Sequence, residues 1–511
     1  MSTANRVIKN TGYLYAKMGV TMFISLYTTR LILNSLGATD FGIFNIVGGA
    51  IAMLGFLNAA MASATQRFMS YTEGEGNKEK QKSIFNVSVV LHFLIALIVG
   101  VVLLIAGYFF FNGILNIPTD RVFAAQVVYG SLIVSTIFTV MTVPYDAVLN
   151  AHENMFYYSI VGIVESVLKL SVAFIVVYTL SDKLIVYGIL MACIPLITMS
   201  IMRVYCHRHY EECIIRPHKY WHKGLMKEMT SFAGWNFLGS MSALIGNYGY
   251  GIILNHFFGA ILNAATGIAN QLNGQLMVFS NSMMKALNPV IVKREGGQDR
   301  SGMLHYSFIG CKFSFLLLAF FAIPFLIETP FILNIWLKNI PKWTILFVRL
   351  QIIRTLLELL TSGLGTSLAA TGKIKGLNTY SILTNLLPLP ILWCLFKLDF
   401  PPYWVYIIVI ICMVIGGGCT KLYYCTKHCN LQISSYAKAV LYPSLFCFTI
   451  SFIVGYLPTL LLSDGWSQLL LCIICAFISF IAIVYFKIFS TEERKAISSL
   501  ITKFKKQNRS Y

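Results

Sequence analysis

Apolar runs of about 20 residues recur along nearly the whole chain, separated by short polar breaks, and a chain patterned this way has lipid for its solvent. The stretch from Val89 to Phe110 is long enough to cross a hydrocarbon core. It must do so as a helix, because an open strand would leave backbone N–H and C=O groups without partners in lipid. The runs predict helices at 11–33, 41–64, 84–110, 122–143, 157–180, 184–204, 230–256, 259–284, 303–327, 344–370, 378–396, 402–424, 439–462 and 467–488, about fourteen spans. The expected fold class is an all-α integral membrane protein. Hydrophobic residues make up 57% of the 511 and charged residues 12%, against roughly 25% charged in soluble domains, which excludes a soluble enzyme.

A net charge of +19 could suggest nucleic acid, but its distribution assigns it to topology. With the N-terminus in the cytoplasm, about 29 of the 39 Lys and Arg fall on the cytoplasmic side, about 5 outside and about 5 within helices, as the positive-inside rule requires. Both termini are therefore expected in the cytoplasm, and no nucleic-acid partner is needed to explain the charge. The first apolar segment is too long for the core of a cleavable signal peptide and reads as an uncleaved anchor.

Most of the twelve cysteines lie within the apolar runs, where cysteine acts as a small hydrophobe. Two groups stand outside that pattern: Cys206, His207, His209 and Cys213, and Cys425, His428 and Cys429. Neither has paired C-x-x-C spacing, so they read as reduced, solvated side chains rather than zinc ligands. No metal and no cofactor are expected. There is no G-x-x-x-x-G-K-[ST] loop, no H-E-x-x-H, and no hydrophilic stretch longer than Tyr205–Met229 to build a soluble active site.

The polar residues inside the apolar runs carry the functional information. Arg30, Lys169, Lys312, Arg349 and Arg354 all lie there, and each cation is costly in lipid unless it meets a partner or water. Glu165 precedes Lys169 by four residues and Glu358 follows Arg354 by four, so each pair shares a helix face and reads as an ion pair. Arg30 and Lys312 have no acid one turn away, which leaves a wet cationic pathway or snorkelling to the interface. Asn236, Ser240, Asn247, Gly251 and Asn255 recur at intervals of four or seven, and Asn263, Thr266, Asn270 and Asn273 form a second stripe on the next helix. Carboxamides in such stripes bind sugar hydroxyls, or join helices to one another.

Shifting the chain by 221 residues sets Ile32, Leu33 and Asn34 on Ile253, Leu254 and Asn255, and the loop Gly74, Glu75, Gly76 on Glu295, Gly296, Gly297. Such a repeat predicts two six-helix lobes in parallel orientation.

The run from Arg30 through Leu36, Gly37 and Ala38 to Phe41 and Gly42 resembles the opening of the polysaccharide transporters of the multidrug, oligosaccharidyl-lipid and polysaccharide exporter superfamily. Pro144, Ala147, Asn150, Ala151 and Met155 are similar to that family's turn between its fourth and fifth helices. The resemblance implies a MATE-like fold with lobes at 1–225 and 226–430, an added helix pair at 431–488 and a basic cytoplasmic tail at 489–511. It implies a flippase of the bacterial plasma membrane, moving an undecaprenyl-pyrophosphate-linked oligosaccharide by alternating access. The expected partners are that lipid-linked oligosaccharide, membrane lipid, and a polysaccharide polymerase with other assembly proteins. Arg30, Lys312, Arg349 and Arg354 would meet the pyrophosphate, and Asn236, Asn247, Asn255, Asn263, Asn270 and Asn273 the sugars. A multidrug cation antiporter, a lipid II flippase and a membrane-embedded glycan-processing enzyme are the alternatives.

Overall fold

The computed structural model describes residues 3–52, 55–114, 117–337, 340–463 and 465–489, so the expected basic tail falls outside the described residues from 490 onward. Helices dominate: α1 (Thr3–Ala52), α2 (Gly55–Glu75), α3 (Lys78–Phe109), α4 (Val122–Ala151), α5 (Met155–Tyr178), α6 (Lys183–His209), a single turn α7 (Pro217–Tyr220), α8 (Lys223–Phe258), α9 (Ala260–Gly296) and α10 (Arg300–Ile327). The remainder are α11 (Thr329–Trp336), α12 (Thr344–Leu359), α13 (Ser362–Thr371), α14 (Lys375–Leu386), α15 (Pro388–Lys397), α16 (Trp404–Val409), α17 (Gly417–Cys429), α18 (Ile433–Tyr436), α19 (Tyr442–Tyr456) and α20 (Trp466–Ile483). Among the described residues ten helices are long and apolar enough to cross a membrane, eleven if the bent α1 is one span. The protein is a multi-pass membrane protein.

Ten of the fourteen expected spans thus stand directly, and the others depart for physical reasons. The segment expected at 11–33 continues past a break at Gly37, whose φ of 76° is left-handed, and the two halves of α1 bend by 119°. The 41–64 segment runs through positions 53 and 54, outside the described residues. α9 carries so many carboxamides that it falls short on hydropathy, although it is 37 residues long. The 344–370 segment is two helices, α12 and α13, parted at Leu360 and Thr361.

The chain divides into two compact units. The first is Asn10–Ser240 with Val292–Asp299. Here α4 lies against α2, α3 and α6, over a core of Ile43, Val47, Leu103, Val128 and Leu184. At one end of this unit Arg121 joins three elements. Its Nε donates to Asp40 Oδ1 at 2.8 Å and its Nη1 to Asp182 Oδ2 at 2.6 Å, tying the stretch after the Gly37 break to the starts of α4 and α6. Asp182 also caps α6 by accepting from the Leu184 and Ile185 amides. Arg121's hydrogen bonds are the main reason its carboxyl sits below the usual carboxylate range.

The second unit comprises Met1–Lys9, Met241–Ile291 and Arg300–Tyr511. Its centre is α10, which packs against α12, α13, α19 and α20. Gly259 has a φ of 80° and stands 222 residues after Gly37, so the left-handed break that follows Ile32–Asn34 is reproduced just after Ile253–Asn255. The cysteines of both units depart from expectation: Cys206, Cys213, Cys425 and Cys429 are buried rather than solvated. Cys213 is hydrogen-bonded to Cys206, which together with burial pushes its thiol far up.

Candidate functional site

In the second unit α8 and α9 line a cavity of about 540 Å³. Asn247, Tyr250 and Asn255 come from α8, and Asn263, Thr266 and Asn270 from α9. The periodicity explains the convergence: 247, 251 and 255 share one face of α8, as 263, 266, 267 and 270 share one of α9. The opposite face of α8 is used for packing. A Cβ on Gly246 would stand 2.6 Å from the Asn385 carbonyl of α14, and one on Gly249 would stand 2.7 Å from Leu389 of α15. Ser242 accepts a hydrogen bond from the Asn385 side chain at 3.0 Å on that side. At the cavity's edge His256 stacks on Trp393 with ring centroids 5.0 Å apart.

Among the described residues no carboxylate and no formally cationic side chain lines this cavity. One guanidinium stands directly behind it. Arg354 Nη2 lies 3.4 Å from Asn247 Oδ1 and Nη1 lies 3.5 Å from Gln351 Oε1, while Nε is buried without a hydrogen-bond partner among the described residues. The expected Arg354–Glu358 pair is therefore not formed, since Glu358 is exposed and Arg354 turns instead toward α8. Such a guanidinium raises the potential around a carboxamide wall that has no compensating acid.

The other expected site residues lie elsewhere. Arg349 donates from Nη2 to the Ile327 carbonyl at 3.1 Å and from Nε to Thr329 at 3.2 Å, so it closes the C-terminal end of α10. Lys312 is half-buried with its ammonium 4.8 Å from the Phe313 ring centroid. Arg30 is exposed on α1 with no ion pair among the described residues. Lys169 and Glu165 pair at 2.6 Å. Asn236 reaches Ser63 at 3.5 Å, in the first unit, and Asn273 has a buried Oδ1 without a protein partner among the described residues. Neither Asn236 nor Asn273 lines the cavity.

Sequence reasoning missed Lys17 of α1. Its stem fills a notch where α5 has only Gly162, and its ammonium stands 4.3 Å above the Tyr158 ring. A cation inside the first apolar run beside a glycine on another helix was the available signal. It also missed a charged cluster at the ends of α2, α4 and α9 in the first unit. His152 bonds Glu212 through Nε2 and faces Glu73 at 3.5 Å through Nδ1. Lys293 stands 3.4 Å from Glu73 and 3.8 Å from Glu153.

Residues 7–295 match the family model described as "Polysaccharide biosynthesis protein", more than half the chain and all of the cavity-lining residues. The chain belongs to this polysaccharide biosynthesis protein family. Its fold is that of the MATE and MOP superfamily transporters. A solved structure titled as MATE in the straight conformation superposes with a TM-score of 0.70 at 13% identity, covering 85% of this chain and 96% of that one. An outward-facing multidrug resistance MATE transporter of the MOP superfamily gives 0.66 at 12% identity, covering 82% and 93%. A MOP superfamily transporter from Pyrococcus furiosus, titled for the reverse polarity of its binding pocket, gives 0.67 at 12%, covering 84% and 100%. No curated protein sequence matches the chain.

Proposed function

We propose that this protein flips an undecaprenyl-pyrophosphate-linked oligosaccharide, a repeat unit for surface polysaccharide, across the bacterial plasma membrane by alternating access. The observation that carries the reading is the α8–α9 cavity, where four carboxamides and the Thr266 hydroxyl stand beside tyrosines and Ile252 with no acid among the described residues, inside the family-matched region. Carboxamides offer donors and acceptors together, which suits sugar hydroxyls. A site for cationic drugs calls for a carboxylate, because a desolvated cation gains little from neutral dipoles beside a guanidinium. The pyrophosphate falls to the cations. Arg30, exposed and without an ion pair among the described residues, is a proposed contact in the first unit and Lys312 one in the second, with both termini cytoplasmic and a polysaccharide polymerase as the consumer of the product.

Reconstitution into liposomes tests this. With an undecaprenyl-pyrophosphate trisaccharide on one leaflet, the protein should expose it to a lectin on the other. Replacing Asn255, Asn263 and Asn270 together by Ala should slow the transfer roughly tenfold or more, from three hydrogen bonds worth about 0.5–1.5 kcal/mol each. Proton-driven uptake of a cationic dye, with no movement of the glycolipid, would overturn the reading and place the protein among the drug antiporters.

A further inference from the structure

Two glycines line the α8–α9 cavity, Gly251 and Gly267, and a Cβ on either would meet no atom within 4 Å. They differ in kind from Gly246 and Gly249, where a Cβ would run into α14 or α15. The latter are glycines because helices approach there. Gly251 and Gly267 have no such reason: both sit in helical interiors without a left-handed φ, where glycine is less stable than alanine. What a side chain at either position would occupy is the cavity itself. Both stand among carboxamides, with Asn247 and Asn255 one helical turn either side of Gly251, and Asn263 and Asn270 one turn either side of Gly267. The space they leave is thus bordered by hydrogen-bonding groups along both helices, beside the apolar surfaces of Tyr248 and Ile252.

We infer that Gly251 and Gly267 determine which cargo the protein accepts: their absent side chains make room for a hydroxylated sugar ring held between the two carboxamide rows. The inference rests on the flippase reading above and assigns it two specificity-determining residues. A ring lying flat between α8 and α9 needs its faces clear and its edges met by donors and acceptors. The open glycines supply the first and the asparagines the second. A group larger than hydrogen at either position reaches into the ring's place and leaves the isoprenoid and pyrophosphate untouched.

The test compares two probes on the purified protein in nanodiscs: undecaprenyl pyrophosphate bearing one N-acetylglucosamine, and undecaprenyl pyrophosphate without sugar. The wild-type protein is expected to bind the glycosylated lipid more tightly. Gly251→Leu and Gly267→Leu should each weaken that binding at least tenfold, down to the level of the sugar-free lipid, whose own affinity stays unchanged. Gly251→Ala and Gly267→Ala should show a smaller loss with an unchanged or raised Tm, which a glycine kept for helix packing would not give. Unchanged binding of the glycosylated lipid in both Leu variants would overturn the assignment of Gly251 and Gly267 while leaving the flippase reading in place. Failure of the wild-type protein to bind either lipid would overturn both.

Discussion

His152 has a carboxylate on each side, Glu212 at Nε2 and Glu73 at Nδ1, and the ring can donate to both only when doubly protonated. Tyr210 stacks on it at 4.3 Å, which fixes its plane. Burial pushes Glu73 up, but the Gln81 hydrogen bond and the charges of His152, Lys293 and Lys78 outweigh it and hold the carboxyl below the usual range. Glu212 shows the same balance: burial raises it, and the His152 hydrogen bond and charge bring it below its ordinary value. Carboxyls depressed in the folded state bind fewer protons than in the unfolded chain. Their stabilisation is therefore complete above the unfolded value of about 4.3 and is lost as pH falls through the folded value. The Tm in detergent should accordingly fall on the acid side of about pH 4–5 in the wild-type protein. Glu212→Gln should be less stable by about 1.5–3 kcal/mol near neutrality and show a flatter acid limb, because the charge-assisted bond is gone. An unchanged acid limb in that variant would show that other groups set it. None of this cluster was legible beforehand, since its members come from positions 73, 152, 212 and 293 and no local spacing links them.

At the scale of the element, glycine decides how closely two helix ends approach. A Cβ on Gly74 at the end of α2 would collide with the Lys293 carbonyl of α9, and one on Gly296 with the Tyr71 carbonyl of α2. The contact is reciprocal, and it joins the two loops that the 221-residue shift had set on one another. Gly74→Ala and Gly296→Ala should each destabilise the protein by about 1–3 kcal/mol, the usual cost of overpacking, measured as a lowered Tm. Gly12→Ala, where nothing stands within 4 Å, is the control and should not lower it. Sequence patterning read ten spans well because a lipid-facing helix is apolar around most of its surface. It read α9 as a span from its length and its polar stripe, and that stripe proved to supply Asn263, Thr266 and Asn270 to the cavity wall. It missed the break at Leu360 and Thr361 because no proline or glycine stands at the gap. Of the expected asparagines, Asn247, Asn255, Asn263 and Asn270 lie along the cavity as their helical spacing suggests, whereas Asn236 and Asn273 share the spacing and do not line it. The contacts of Arg349 with Ile327 and of Arg354 with Asn247 were not legible, because those partners lie on other helices.

For the whole molecule, the asymmetry of Lys and Arg predicts sidedness. Asp120 lies in an exposed turn ahead of α4, and Lys427 is exposed near the end of α17. A membrane-impermeant thiol reagent should label Asp120→Cys in intact cells and Lys427→Cys only after permeabilisation, above the background of the native cysteines. The reverse pattern would invert the proposed topology. The gap between α12 and α13 bears on what can be removed from this chain. Tyr436, fully buried, donates its hydroxyl to the Leu360 carbonyl at 2.6 Å, so a backbone acceptor released where one helix ends is answered by the last residue of α18. Trimming the chain ahead of α18 would leave that buried oxygen without its donor, at about 1–3 kcal/mol. Chains shortened in this way are expected to lose stability, measured as a lowered Tm, before any question of transport arises.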